Sequence, residues 1–261
     1  PDGRRHIQFG HAFDSYPNPI RHIETAPLFV SYSNQGLNGL SINYQRHLRD
    51  KVVTWTKESL PRPIHYNCWE AIYFEHEPDA LSEIIELAAD IGAERFVLDD
   101  GWFGTRDDDT QSLGDWEIDP RKYPEGLGPL IAKVNQSGMS FGIWFEPEMV
   151  NLNSKLYVKH PSWILGPIDQ VLGRNQLVLD TANHDVQEYL FKKISAILAD
   201  HNVTYIKWDH NRVLPHVDAA QTYGTYELMS RLRNKFPNVE IESCASGGGR
   251  IDFGILKYSQ R

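Results

Sequence analysis

The sequence predicts an α/β fold of the (β/α)8 barrel type, with about six strand–helix units present. Three observations lead there. From Ile64 onward, strand-like runs alternate with helix-like runs, a pattern that builds a parallel sheet with right-handed crossovers. The units recur about every 35 residues, a spacing suited to such barrels. The expected strands also end in carboxylates and tryptophans, where barrels of this type carry their chemistry. An open doubly wound sheet competes with this reading, but no G-x-G-x-x-G turn follows the first strand.

The elements follow in order. "IHYNCWE" reads as the first strand. In "EPDALSEIIELAADIGA", Pro78 stands at a helix start, Leu81, Ile84, Ile85, Ala88 and Ile91 recur at helical spacing, and Gly92 supplies the stop. "ERFVLDDGW" is the second strand, followed by a polar loop and a helix around Leu130 to Val134. "MSFGIWFEPE" and "NQLVLDTA" read as the third and fourth strands, the latter leading into the helix "HDVQEYLFKKISAILADH". "TYIKWD" is the fifth strand, followed by a helix through Leu228, Leu232 and Phe236 that Pro237 ends. "VEIESCASGGGR" opens the sixth. Residues 61–261 therefore form the barrel domain, and two further units are expected to lie outside this chain. Residues 1–60 read as the tail of a preceding domain and a linker, and Pro1 in place of Met fits a piece of a longer protein.

Composition narrows the function. The net charge of −9, with no basic run, argues against nucleic acid as a partner. No apolar run reaches the length of a membrane-crossing helix and no signal peptide is evident, so no membrane partner is expected. Two cysteines, Cys68 and Cys244, are too few for a disulfide framework and fit a reducing, cytoplasmic setting. Seven Trp and twelve Tyr suit a carbohydrate ligand, although core packing explains aromatics equally well.

The strand ends carry the candidate chemistry. Trp69 with Glu70, Asp99 with Asp100, Trp144 with Glu146, Asp180, Lys207 with Asp209, and Glu242 with Cys244 all fall there. Any one of these could be a turn residue or a helix cap. Taken together they point to a shared polar site, because charges are rarely buried without partners. In "NVTYIKWDHNR" the alternation of side chains puts Lys207 and Asp209 on one strand face. The ammonium keeps the carboxylate ionised, and an ionised carboxylate on a rigid strand can attack an anomeric carbon. In "LDDGWFG", Asp99 and Asp100 can accept hydrogen bonds from vicinal sugar hydroxyls if Gly101 bends the chain. "SCASGGGR" lacks the Lys-Ser/Thr of a phosphate loop, so its glycines are read as backbone approaching a neutral sugar.

"YNCWEA", "VLDDGWFG", "GIWFEPEM", "YIKWDHNR" and "ESCASGGGR", in this order, resemble the catalytic barrel of glycoside hydrolase family 36, the α-galactosidases. "PLFVSYSNQGLNGLS" resembles the junction between that family's N-terminal β-sandwich and its barrel. The resemblance implies a retaining enzyme that releases terminal α-galactosyl residues from raffinose- or melibiose-type α-1,6 galactosides, with Asp209 as nucleophile. It also implies that Asp99 and Asp100 bind the 4- and 6-hydroxyls and that Trp69 and Trp144 wall the pocket. Lys207 then reaches the 3-hydroxyl region with Asn211 nearby, Arg174 is a sugar-binding arginine, and Cys244 and Gly247 lie against the 2-hydroxyl. Neither metal nor cofactor is implied, and the full-length parent is expected to be a homo-oligomer, a dimer or tetramer.

Two departures stand out. The family's acid, the Asp of a T-S-D motif, has no counterpart in this chain and is expected outside it, and the connection from Arg212 to Thr225 is shorter than usual. Two alternatives stay open: a galactosyl transferase of the raffinose synthase type, and a magnesium-dependent enolase-type barrel using Lys207 as base.

Overall fold

A computed structural model of the protein describes residues 27–55, 61–216 and 219–261. The chain divides into two units, Pro1–Asp50 and Lys51–Arg261. In the first, helix α1 (Gly36–His47) is tied to the segment before it: Asn43 donates to the Tyr32 carbonyl and Tyr44 to the Phe29 carbonyl. Much of the domain tail expected over residues 1–60 lies outside the described residues.

The second unit begins with strand β1 (His65–Asn67), the short helix α2 (Trp69–Ile72) and helix α3 (Pro78–Asp90). Pro78 sits in the first turn of α3, where its missing N–H costs nothing, and Leu81, Ile85 and Ala88 form the buried stripe. Gly92, at φ +89°, ends it and turns the chain into β2 (Arg95–Leu98). A long loop then leads to α4 (Gly128–Gln136) and β3 (Ser140–Phe145). Next come β4 (Met149–Asn151), α5 (Lys155–Lys159), β5 (Gln176–Val178), α6 (His184–Asp200), β6 (Tyr205–Trp208), α7 (Ala219–Lys235) and β7 (Glu240–Ser243).

Five of these strands form one parallel sheet in the order β1-β2-β3-β6-β7, so this is a mixed α/β fold. Every residue of β2 is buried, as expected for strands covered on both faces. Phe145, Trp208 and Ser243 lie side by side in the register, so the ends of β3, β6 and β7 are level. Asp209, Glu146 and Cys244 each follow one of those ends.

The expectation of about six sheet strands needs correction. "NQLVLDTA" is not the fourth strand of the parallel sheet: its β5 pairs antiparallel with β4 in a separate ribbon. Both strands of that ribbon are fully buried, and a short apolar run signals burial without specifying its partner. The helix expected after it, α6, is nevertheless present and leads into β6. The first strand is also shorter than expected, with Trp69 and Glu70 carried on α2.

Helix α7 docks on the loop before α6 through the Thr181 hydroxyl, which donates to the Gln221 carbonyl at 2.8 Å. The approach is close enough that a Cβ on Gly224 would lie 2.1 Å from the Thr181 carbonyl oxygen and 2.9 Å from the Ala182 nitrogen. On an exposed helix, glycine to alanine gains about 1 kcal/mol. Here the overlap is with backbone, and overpacking of that kind costs about 1–3 kcal/mol or more. Gly224→Ala is therefore expected to lower the thermal unfolding midpoint. A raised midpoint would contradict this packing.

Candidate active site

The site is built at the ends of β1, β2, β3, β6 and β7. Asp209 follows β6 and is held there by its own N–H, which donates to the Phe145 carbonyl at 2.8 Å. The residue is 6% exposed. One oxygen accepts from Trp144 Nε1 at 3.1 Å and Asn211 Nδ2 at 2.7 Å, and the other from the His210 N–H at 3.0 Å. The Cys244 thiol bonds it as well. Burial alone would raise the Asp209 pKa, but Cys244, Asn211, Lys207 and Trp144 together hold it below the usual carboxylate range. Burial and the adjoining Asp209 charge push the Cys244 thiol up to about 12, so it remains a donor.

Lys207 and Trp144 are paired in the register of β6 and β3. The Lys207 ammonium donates to Asp99 at 2.8 Å, and its charge also acts on Asp209. Burial alone would lower its pKa, but the two carboxylates raise it. Asp99 also accepts from the Asn67 side chain, whose own oxygen takes the Trp69 N–H at 2.9 Å. Asn67 thus links the sugar-wall candidate Trp69 to Asp99. Trp69 is half-buried, with its ring edge-on to Tyr73 and Phe74.

Asp100 faces a different partner. Arg106, with 0% exposure, grips it in a two-pronged ion pair at 2.9 and 2.8 Å. Burial pulls the Asp100 pKa upward against the guanidinium, and the bidentate geometry favours the carboxylate form. The bend that lets adjacent aspartates serve one site is fixed from behind. Gly101 adopts φ +113°, and a Cβ there would meet His76 Nε2 at 2.7 Å. Lys122 donates to the carbonyls of Phe74, Gly101 and Arg106, and His76 contacts the Asp100 carbonyl at 2.9 Å.

Glu146, at the end of β3, accepts from the Asn211 N–H at 2.7 Å and from Gln176 Nε2 at 2.9 Å. Burial, reinforced by the Asp209 charge, pushes its pKa up to about 7. The β5 segment that misled the strand count therefore still reaches the site, through Gln176. Arg174 precedes it in a tight turn with φ +50° and Asn175 at φ +59°, a backbone region costly for residues other than glycine. Its exposed guanidinium acts on Asp100 and Glu146, opposing the upward shift that burial gives both. Gly247, at φ +86°, closes the turn after β7, where its carbonyl accepts from the Ala245 N–H at 3.0 Å.

The structure therefore gathers Asp99, Asp100, Trp144, Lys207, Asp209, Asn211 and Cys244 through hydrogen bonds or charge interactions. Trp69 joins through Asn67, and Arg174 through its charge. Asp180 takes the simpler role of a turn residue, its oxygen accepting from the Ala182 N–H at 3.0 Å. Glu70 is exposed and bonded to Tyr73. Arg106 and Lys122 escaped the sequence reading because they lie in a loop whose contacts no periodicity specifies, and Asn67, at the end of β1, because a strand's period does not reveal its side chain's partner.

Among the described residues, no group of three or more His, Cys, Asp or Glu side chains is arranged to hold a metal ion. Among them, too, no helix is long and apolar enough to cross a membrane.

Comparison with known proteins points to one family. The Melibiase family matches residues 22–261. The alpha-galactosidase of Escherichia coli is 46% identical over 272 residues, covering 100% of this chain and 38% of that protein. The crystal structure of the GH36 alpha-galactosidase AgaB from Geobacillus stearothermophilus superposes with a TM-score of 0.82 at 44% identity, over 88% of this chain and 34% of that one. A variant of AgaA from the same organism, solved in complex with raffinose, gives 0.82 at 42% identity, again over 88% of this chain and 34% of its own. The chain thus spans little more than a third of the length of these relatives.

Glu146 offers a test of the site's electrostatics. Between its ordinary value of 4.5 and about 7, the folded protein holds a proton that the unfolded chain has released. Stability from this group accordingly falls as pH rises through that window, by up to about 3 kcal/mol. Glu146→Gln is expected to remove that slope from the unfolding free energy measured between pH 4.5 and 7. An unchanged slope would show that Glu146 is ionised throughout.

Proposed function

The chain belongs to the Melibiase family, glycoside hydrolase family 36, and from that premise we propose that it forms the catalytic part of a retaining α-galactosidase. The proposed substrates are raffinose- and melibiose-type α-1,6 galactosides. The parallel sheet is proposed to be an arc of a (β/α)8 barrel, with its strand ends as the sugar site. One observation carries the reading: Asp209 is a buried carboxylate kept ionised by surrounding donors and the nearby Lys207 charge.

In this mechanism an Asp209 oxygen attacks the anomeric carbon as the glycosidic C–O bond breaks. The leaving oxygen takes the bonding pair and a proton from a general acid other than the assigned site residues. Water then attacks from the face opposite Asp209, the one the leaving group vacated, and gives its proton to the conjugate base of that acid, returning the Asp209 carboxylate and releasing galactose with its configuration retained. Trp144 and Asn211, bonded to one Asp209 oxygen, leave the other to the His210 N–H and the nucleophilic role. Asp99 and Lys207 meet hydroxyls on the far edge of the ring. Asp100 reads a further hydroxyl from its fixed position on Arg106. Trp69 and Trp144 wall the ring, Arg174 reaches over it from its turn, and Cys244 with Gly247 borders the 2-hydroxyl.

The carboxylates nearest Asp209 are already committed. Asp99 serves Lys207, Asp100 serves Arg106, and Glu146 serves the amides of Asn211 and Gln176. None of these is assigned as the proton donor. The same pairings weigh against the enolase-type alternative, because protein cations already occupy the Asp99 and Asp100 oxygens that would ligate magnesium.

Asp209→Asn preserves the side chain's shape and is expected to abolish turnover of aryl α-galactosides in the whole protein, with the unfolding midpoint little changed. Azide should restore part of the rate by attacking in place of the missing carboxylate. Turnover near the wild-type rate without azide would end the assignment.

A further inference from the structure

Glu148 takes no part in the sugar contacts assigned above, yet few side chains are more tightly held. It is 2% exposed. One oxygen accepts from Trp208 Nε1 at 2.8 Å and from Arg250 at 2.7 Å, and the other from the Thr225 hydroxyl at 3.0 Å. His210 Nδ1 lies 3.4 Å from that second oxygen. Burial alone would raise the Glu148 pKa, but Arg250 and His210 reverse this and keep the group ionised.

Its partners come from β6, the turn after it, α7 and the Gly-rich loop, with Trp208, Thr225 and Arg250 donating and the His210 ring lying beside them, so one carboxylate joins four pieces of chain. Two of them, Trp208 and His210, flank Asp209. Successive side chains on an extended chain point to opposite sides. Residues 208 and 210 therefore turn toward Glu148 while Asp209 turns toward the site. Glu146, two residues before Glu148, holds the next residue along through the Asn211 N–H. Pro147 between them fixes φ and removes a competing donor. The F-E-P-E-M segment thus grips the chain on both sides of Asp209, and Arg250 extends that grip to the Ser246–Gly249 turn.

We propose that Glu148 is a positioning residue for the reaction: through its hold on the chain at Trp208 it fixes the direction of Asp209. The proposal rests on Asp209 being the nucleophile. Displacing a reacting group by about 1 Å costs roughly 10²-fold in rate. Glu148 touches no sugar atom in this account, so ground-state affinity should barely change.

The test uses Glu148→Gln in the whole protein, assayed well below its unfolding midpoint. The kcat on an aryl α-galactoside is expected to fall about 10²-fold, while the Kd for galactose by calorimetry moves less than about threefold. Titration with a fluorinated galactosyl inactivator should count a full complement of sites, each slow. If Glu148 were only structural, titratable sites would be lost in proportion to activity and the remainder would turn over at the wild-type rate. That result would overturn the proposal.

Should Glu148→Gln fail to fold, Arg250→Lys and His210→Asn each loosen one arm of the same grip. Each is expected to lower kcat at unchanged galactose affinity, and wild-type kcat in both would equally overturn it. Asp209→Asn in the same assay separates the two ideas. An active Asp209→Asn would refute the nucleophile, whereas an inactive one beside a fully active Glu148→Gln would refute the positioning role alone.

Discussion

Buried charge at one end of the parallel sheet is the constraint on which the rest of this structure depends. Asp99, Asp100, Glu146, Glu148 and Asp209 are all removed from water there. Taking an ionised carboxylate out of water costs several kcal/mol, so each needs a cation or a set of aligned donors. Asp99 takes Lys207, Asp100 takes Arg106 and Glu148 takes Arg250. Asp209 has side-chain and backbone donors plus the nearby Lys207 charge. Glu146 is bonded by amides rather than by a cation, and it is the carboxylate whose pKa rises to about 7. A change to any one of these pairs therefore alters the electrostatics of the others.

The parallel register turns that cluster into a site. Side-by-side pairing of β3, β6 and β7 sets their ends level, β2 ends two residues short of them at Leu98, and the loops that follow β2 and β7 supply two of the cations. Arg106 comes from the loop after β2 and Arg250 from the turn after β7, while Lys207 lies within β6 itself. The β4–β5 ribbon fills the path between β3 and α6. It contributes Gln176 to Glu146 and presents Arg174 at its tip. Stability and function are thus joined in the same contacts: the groups that offset carboxylate burial also orient the candidate nucleophile.

Much of this was legible in the sequence, for physical reasons that differ by element. Helix α3 announced itself through a start, a stripe and a stop, all local signals. The pairing of Lys207 and Asp209 on one face followed from strand periodicity, although the hydrogen bond that Lys207 makes is to Asp99, a residue distant in sequence. The placement of "NQLVL" failed because burial of a short apolar run does not reveal its pairing partner. Arg106 and Lys122 were invisible because a loop's tertiary contacts leave no period to read. Glu148 stood in a quoted motif, but nothing in its spacing indicated that it would hold Trp208 and Arg250. Asp180 shows the converse: a strand-end carboxylate that proved to be a turn residue.

The central claim is that Asp209 forms a covalent bond to the sugar. Peptide mass spectrometry of the whole protein after brief exposure to a fluorinated α-galactosyl fluoride, which slows release of the intermediate, tests it most directly. A single galactosyl adduct on the peptide bearing Asp209 is expected. An adduct on a peptide carrying Glu146 or Asp99 instead, or turnover with no adduct and an inverted product, would contradict it.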